Sequence, residues 1–268
     1  MPRWSEADIP WDQFDPALVD RDLLRLVKAA ALTEFNAGRY AEYLGNVFEG
    51  DEAYKAEILR WRDEEVQHGE LLGRYAALAD PGYDFDAAFR RFTAGYQIPV
   101  EVDGSVRGSR TGELVARCVV ETGTSSFYTA MGEATADPVL RALCAHIAAD
   151  EFRHYRLFLD GARRYNRSED VSRPRLLLVA LGRLDETDDD ELAYAWHAAN
   201  DPAGAPYDHA ACNRAYVKEA YKLYKRDHVD RGIGMVMKAV GLKPRGWFGR
   251  FAAWAVYRFI RHRAEAWA

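Results

Sequence analysis

The chain has no uninterrupted apolar run long enough to cross a bilayer, no excess of positive charge, and three cysteines in 268 residues. A membrane-spanning helix needs about 20 consecutive apolar residues, so no such helix is expected. Lys and Arg number 36 against 42 Asp and Glu, a formal net charge of −6, and a general nucleic-acid binder would ordinarily be basic. Cys118, Cys144 and Cys212 are scattered and odd in number, which argues against a disulfide framework and suits a reducing compartment. The opening Met-Pro-Arg-Trp-Ser-Glu-Ala-Asp lacks an apolar signal run. Together these absences lead to the expectation of a cytoplasmic protein. Cys118 and Cys144 are each read as a small buried apolar residue.

What is present is an ordinary globular composition, with 49% hydrophobic and 29% charged residues. The length admits one large domain or two small ones with a sizeable core. Within it one short pattern occurs twice. Glu65 and His68 stand in Asp63-Glu64-Glu65-Val66-Gln67-His68, and Glu151 and His154 in Asp150-Glu151-Phe152-Arg153-His154. On a helix, residues three apart share a face, so each pair presents a carboxylate and an imidazole to one point. A single Glu-x-x-His is ordinarily a solvated helix face, and chance supplies about one in a chain this long.

The second occurrence changes the weighting because each has an equivalent glutamate upstream. Glu34 interrupts an apolar helical stripe 31 residues before Glu65, and Glu121 lies in Cys118-Val119-Val120-Glu121, 30 residues before Glu151. In an antiparallel hairpin two residues meet only if the turn lies midway between them. The midpoints fall on Glu49-Gly50-Asp51 and on Ala136-Asp137-Pro138, both helix stop and start signals.

One glutamate from each of two helices, with a Glu-x-x-His from each of the other two, is the ligand set of a dinuclear carboxylate site in a four-helix bundle. With these residues the chain resembles the ferritin-like di-iron superfamily. The strings Glu-Glu-x-x-His-Gly and Asp-Glu-x-Arg-His are most similar to those of acyl-carrier-protein desaturases. The resemblance implies an all-α fold: a ferritin-like four-helix bundle of two antiparallel hairpins with a long crossover, plus additional C-terminal helices. It implies Glu34, Glu65, His68, Glu121, Glu151 and His154 as metal ligands, two iron ions as cofactor, and manganese as the alternative metal. In O2-activating members a threonine one turn beyond a ligand faces the dioxygen side, and the match here is Thr124, given a proton-delivery or gating role. Asp150 and Glu64 each lie four residues before a ligand histidine and are candidates to accept a ring proton from a histidine on the neighbouring helix.

Taken in order, residues 1–19 read as an arm packed by Trp4, Trp11 and Phe14, residues 20–166 as the bundle, and residues 167–268 as further helices. A first helix from Asp20 or Asp22 carries apolar positions stepping by three and four to Leu44. A second spans about Asp51 to Ala79, a third Thr111 to Ala134, and a fourth Asp137 to Tyr165, with one short helix in the crossover between the hairpins. Beyond these, Ser172–Leu184, Leu192–Ala199 and the stretch from His209 to Val240 read as helices. Asp188-Asp189-Asp190-Glu191 reads as a solvated helix start. His197, His209, His228 and His262 lack the Glu-x-x-His context and are expected to serve other roles. From Leu242 onward six Lys or Arg accompany one acid, Glu265, among many aromatics. Such a helix suits an anionic membrane surface or an acidic carrier protein, or packs back on the bundle while its arginines snorkel.

Two absences sharpen the functional expectation. The positions four beyond the ligand histidines are Leu72 and Phe158, so the tyrosine of radical-storing ribonucleotide reductase subunits is missing. There is no Cys-x-x-Cys pair, so the rubredoxin-like module of a rubrerythrin is missing, and an external, ferredoxin-like electron donor is expected. The first expectation is an O2-dependent di-iron oxidoreductase that desaturates or hydroxylates a hydrophobic substrate. The desaturase-like strings suggest a fatty-acyl chain, carried on an acidic carrier protein. A homodimer is compatible with this reading, and nucleic acid is not an expected partner. The alternatives are a ferroxidase or peroxide-scavenging protein, and a docking protein whose metal site is structural.

Overall fold

The computed structural model describes residues 3–185 and 190–266, and every regular element among them is helical. The all-α part of the expectation holds. Three short 3-10 turns lie between Glu6 and Leu18. They are followed by α1 (Arg21–Phe35), α2 (Ala37–Val47), α3 (Glu52–Ala79), α4 (Phe85–Gly95), α5 (Arg110–Ala134), α6 (Pro138–Glu169), α7 (Arg173–Asp185), α8 (Asp190–Asn200), α9 (His209–Leu223), α10 (Arg226–Ala239) and α11 (Trp247–Ala266). Among the described residues no helix is long and apolar enough to cross a membrane. The chain forms two compact units: Met1–Val102 with Met131–His146 and Asp188–Ala220, and Asp103–Ala130 with Ile147–Thr187 and Tyr221–Ala268.

In the first unit, the Asp20 carboxylate starts α1 by accepting from the backbone N–H groups of Asp22 and Leu23 at 2.8 and 3.0 Å, a cap worth about 1 kcal/mol. The apolar stepping predicts one helix to Leu44, but the structure divides it at Asn36. The Asn36 backbone sits at φ −78° and ψ 1°, and its N–H turns to the Thr33 carbonyl at 3.2 Å. Thr33 also donates its hydroxyl to the Ala30 carbonyl at 3.0 Å, a local bond of the kind that bends helices.

The chain reverses where the spacing requires. Gly50 adopts φ +83° and Asp51 caps α3 by accepting from the Tyr54 N–H at 3.1 Å. Helix α3 then runs back along α1 and α2. Gly69 makes the close approach: a Cβ there would lie 2.5 Å from the Phe35 backbone nitrogen. Helix α1 is buried on nearly every side from Leu26 to Leu32 because α8 covers the flank that α3 leaves open. Asn200 donates to the Arg25 carbonyl at 3.2 Å, and the Arg25 guanidinium stands 4.4 Å over the Trp196 ring. Nothing local in residues 167–268 announces this partnership.

In the acidic run, Asp188 and Asp189 lie outside the described residues, while Asp190 and Glu191 form the first turn of α8. Glu191 is buried and accepts from the Tyr40 hydroxyl at 2.6 Å, so this residue of the expected solvated helix start is instead tied to α2. The N-terminal arm lies along α3: Phe14 meets Tyr75 edge-on, and the Arg74 guanidinium stacks 4.1 Å over Trp11 while pairing with Glu6. Asp137, also in this unit, caps α6 through the N–H groups of Val139 and Leu140.

In the second unit, α5 and α6 run antiparallel. Cys118 donates its thiol to the Tyr155 carbonyl at 3.8 Å, and Ser125 its hydroxyl to that of Ala148 at 3.2 Å. Helix α6 continues to Glu169, beyond the expected end near Tyr165. Glu169 closes the open end of the pair by accepting from the N–H groups of Arg110 and Thr111 at 3.1 and 2.8 Å. Helix α10 lies against both helices. Tyr155 donates to the Met235 carbonyl at 2.9 Å, and a Cβ on Gly232 would sit 3.3 Å from Ser126 Oγ.

Candidate metal centre

The α1–α3 hairpin brings Glu34, Glu65 and His68 together, and the α5–α6 hairpin does the same for Glu121, Glu151 and His154. In the first triad His68 Nδ1 stands 3.8 Å from Glu34 Oε2 and 3.6 Å from Glu65 Oε2. In the second, His154 Nδ1 stands 3.6 Å from Glu121 Oε2 and 3.9 Å from Glu151 Oε1. Within each triad the ligand atoms all lie within 4.8 Å of one another. None of the six residues is more than 7% exposed.

Four buried carboxylates need a source of positive charge, since an isolated buried carboxylate costs several kcal/mol. Burial first, and then the neighbouring Glu65 carboxylate, push Glu34 from 4.5 up to about 8. Held at that value the triad keeps a proton, which a divalent cation would displace while leaving both carboxylates ionised.

The donor atoms fit a metal. Two ligand atoms each about 2.0–2.2 Å from one ion are separated by at most about 4.4 Å. The separations of 3.6 to 3.9 Å fall inside this limit, and they exceed the ordinary N–H···O distance of about 2.7–3.2 Å. A set of carboxylates with one imidazole per triad is hard and anionic, which suits iron or manganese better than a tetrahedral zinc site.

Thr124 lies one turn beyond Glu121. Its hydroxyl faces three acceptors: the carbonyls of Val120 and Glu121 at 3.3 and 3.2 Å, and the Glu151 carboxylate in a short contact. Thr122 differs, being buried with its hydroxyl on the Cys118 carbonyl at 2.7 Å, a bond within its own helix. Of the two threonines in the motif, Thr124 is thus the one that reaches a triad carboxylate. Asp150 is buried and pairs with Arg153, and Glu64 is half-buried.

Trp4 is the residue that sequence reasoning placed in the arm and did not connect to the site. Its indole neighbours two imidazoles, 6.0 Å from His68 and 4.7 Å from His146, nearly parallel to both. Gln67, beside His68 in the chain, donates to the Trp4 carbonyl at 3.1 Å and holds the arm in place. No periodic signal marks Trp4; its neighbours in sequence are polar and its stacking partners are more than sixty residues away.

The cysteines behave as buried apolar residues. Burial, with Glu121 adding to it, pushes the Cys118 thiol well above its ordinary value, and burial pushes Cys144 up as well. A further cluster joins His197, Asp201 and Cys212. Here His197 Nδ1 and Asp201 Oδ2 lie 2.7 Å apart, and the Cys212 thiol, pushed to about 11 by burial and then by Asp201, donates to the same carboxylate at 3.8 Å. Hydrogen bonds alone account for this cluster.

No protein-family model matches the chain, and no curated protein matches its sequence.

Proposed function

We propose that the two triads bind two iron ions, that the fold is the ferritin-like four-helix bundle, and that the protein is an O2-dependent oxidoreductase acting on a C–H bond of a hydrophobic substrate. The observation that carries this reading is the repetition: two buried Glu, Glu, His triads, each built by an antiparallel hairpin with nearly equal spacing along the chain. A solvated helix face would not be buried twice with the same three donor types.

Two reduced iron ions supply, when bound, activation of dioxygen and removal of hydrogen from an unactivated C–H bond. The chain's own residues do the rest. Glu34, Glu65, His68, Glu121, Glu151 and His154 hold the ions, with manganese as the other metal this donor set accommodates. Thr124 keeps a proton on Oγ1 within reach of the Glu151 carboxylate, where it can be donated and recovered. Leu72 and Phe158, both fully buried one turn beyond the ligand histidines, keep water from that side of each imidazole. Asp150 and Glu64 are proposed to orient the histidine rings. Electrons would come from a separate donor protein of ferredoxin type, and the substrate class closest to the motifs is a fatty-acyl chain on an acidic carrier.

The test begins with metal content and the optical spectrum of iron-grown protein beside a Glu65→Ala, Glu151→Ala double variant. About two irons per chain, with a near-ultraviolet charge-transfer band that the variant loses, supports the site. Oxygen uptake that rises on addition of acyl carriers then supports the reaction. Peroxide turnover or ferrous-iron oxidation without organic substrate would reassign the same ions to iron handling, and failure to take up iron or manganese would end the metal reading.

A further inference from the structure

Helix α11 has two faces of different chemistry, and the metal site uses neither. Its seating on α10 is set by the turn that joins the two helices. Gly241 adopts φ +76°, its N–H reaches the Lys238 carbonyl at 3.2 Å, and the Leu242 N–H reaches that of Met237 at 2.8 Å. This is the double bond of a Schellman turn, and Leu242 packs on the cluster that contains Met237. Lys243-Pro244 prevents the helix from continuing. A Cβ on Gly249 would come 2.6 Å from the Pro244 carbonyl oxygen, so the start of α11 is pressed onto this turn. Ala253 and Ile260 then join Val229, Ile233 and Met237 in one buried cluster.

The opposite face is aromatic and exposed. Trp247, Phe251, Trp254 and Arg258 step by four, three and four, so they form a single stripe. Trp247 is 77% exposed, Phe251 59% and Trp254 50%. Phe248 and Phe259 border the stripe on one side, and Arg250 and Arg261 on the other. A monomer rarely leaves so many large rings in one patch uncovered, and such patches mark binding surfaces.

Charge indicates what covers it. The whole chain carries −6, yet from Leu242 to Ala266 six Lys or Arg accompany one acid, Glu265. This segment is attracted to negative charge while the rest of the molecule is not. Tryptophan and phenylalanine beside arginines on one helical face is the composition of a helix lying in the plane of a bilayer interface, with rings at the headgroup boundary and guanidinium groups on anionic lipids. A helix of 20 residues is about 30 Å long, and its ridge runs most of that length, as suits an extended flat surface. We propose that α11 docks the protein onto an anionic lipid surface through Trp247, Phe251 and Trp254, with Arg250 and Arg258 supplying the charge preference.

The test uses the full chain in co-sedimentation with vesicles of phosphatidylcholine alone and of phosphatidylcholine with about one third phosphatidylglycerol. Wild type is expected to bind the anionic vesicles at least about tenfold more tightly, and to lose that preference at high salt. Trp247→Ser, Phe251→Ser, Trp254→Ser together should abolish binding. Arg250→Glu, Arg258→Glu together should bring both vesicle types to the same weak level, each charge being worth about fivefold. Because all five side chains face outward, unchanged circular dichroism and melting midpoint are expected for both variants. Should one variant unfold, the other still decides. The proposal is overturned if wild type ignores anionic vesicles, if it binds an acidic carrier protein through this face but no vesicle, or if sedimentation shows a dimer that the aromatic variant converts to monomer.

Discussion

The Trp4 indole stacks on the His68 imidazole, ring centres 6.0 Å apart and planes 15° from parallel, while its other neighbour is His146 at 4.7 Å. The N-terminal arm therefore reaches the ring of a proposed ligand. Replacing Trp4 with Ala should cost about 3 kcal/mol of stability in urea denaturation and weaken iron binding by about tenfold, as loss of a ligand's support typically does. Trp4→Phe should keep most of both, since a flat ring still fills the gap. Iron binding unchanged in the Ala variant would show that the arm merely packs.

Gly69 permits α1 and α3 to touch one residue beyond His68. An alanine there would drive Cβ to 2.5 Å from the Phe35 nitrogen and 2.7 Å from its Cα, and backbone cannot step aside as a side chain can. Gly69→Ala should lower stability by about 1–3 kcal/mol. Gly45 in α2 has nothing within 4 Å of the same position, so Gly45→Ala should raise stability by about 0.5–1 kcal/mol. Melting midpoints that move in the same direction for both would contradict this contact geometry.

Thr124 offers a single proton to the Glu151 carboxylate and to two backbone carbonyls. Thr124→Val preserves shape and removes the hydroxyl. Metal content should stay near wild type while substrate-dependent oxygen uptake falls by about a hundredfold, the scale of a lost proton-transfer group, and Thr124→Ser should restore most of it. Equal rates for Val and wild type would leave the hydroxyl a helix bond only.

Lys28, largely buried beside Leu32 on α1, reaches Asp80 at the end of α3 with a 2.6 Å contact, and its ammonium also lies 4.5 Å from the Tyr83 ring centre. The hydrogen bond from Lys28 holds Asp80 below its ordinary value of 3.8. A carboxylate lowered on folding contributes stability that is present above the unfolded value and lost as pH falls through the folded one. The Asp80 side chain is 43% exposed, so solvent screening limits the contribution to about 0.5–1 kcal/mol. Asp80→Asn should show that loss at pH 7, and the difference from wild type should vanish in acid. A gap that widens in acid would have the wrong sign.

The sequence by itself determined the two hairpins and which glutamates and histidines each one brings together. Glu34 and Glu121 interrupt apolar stripes, and helix caps at Asp51 and Asp137 stand midway to the matching glutamates, so local rules of periodicity and capping sufficed. They sufficed because the partners in each hairpin are joined by a short turn, and a spacing along the chain becomes a distance in space. Tertiary structure decided what such spacing does not encode. It set α8 against α1 and Trp4 over His68, turned Thr124 rather than Thr122 onto the Glu151 carboxylate, and broke the first helix at Asn36. In each case the deciding contact comes from a distant segment or from competition between a side chain and the helix ladder, and packing of complementary surfaces leaves no periodic mark in either one.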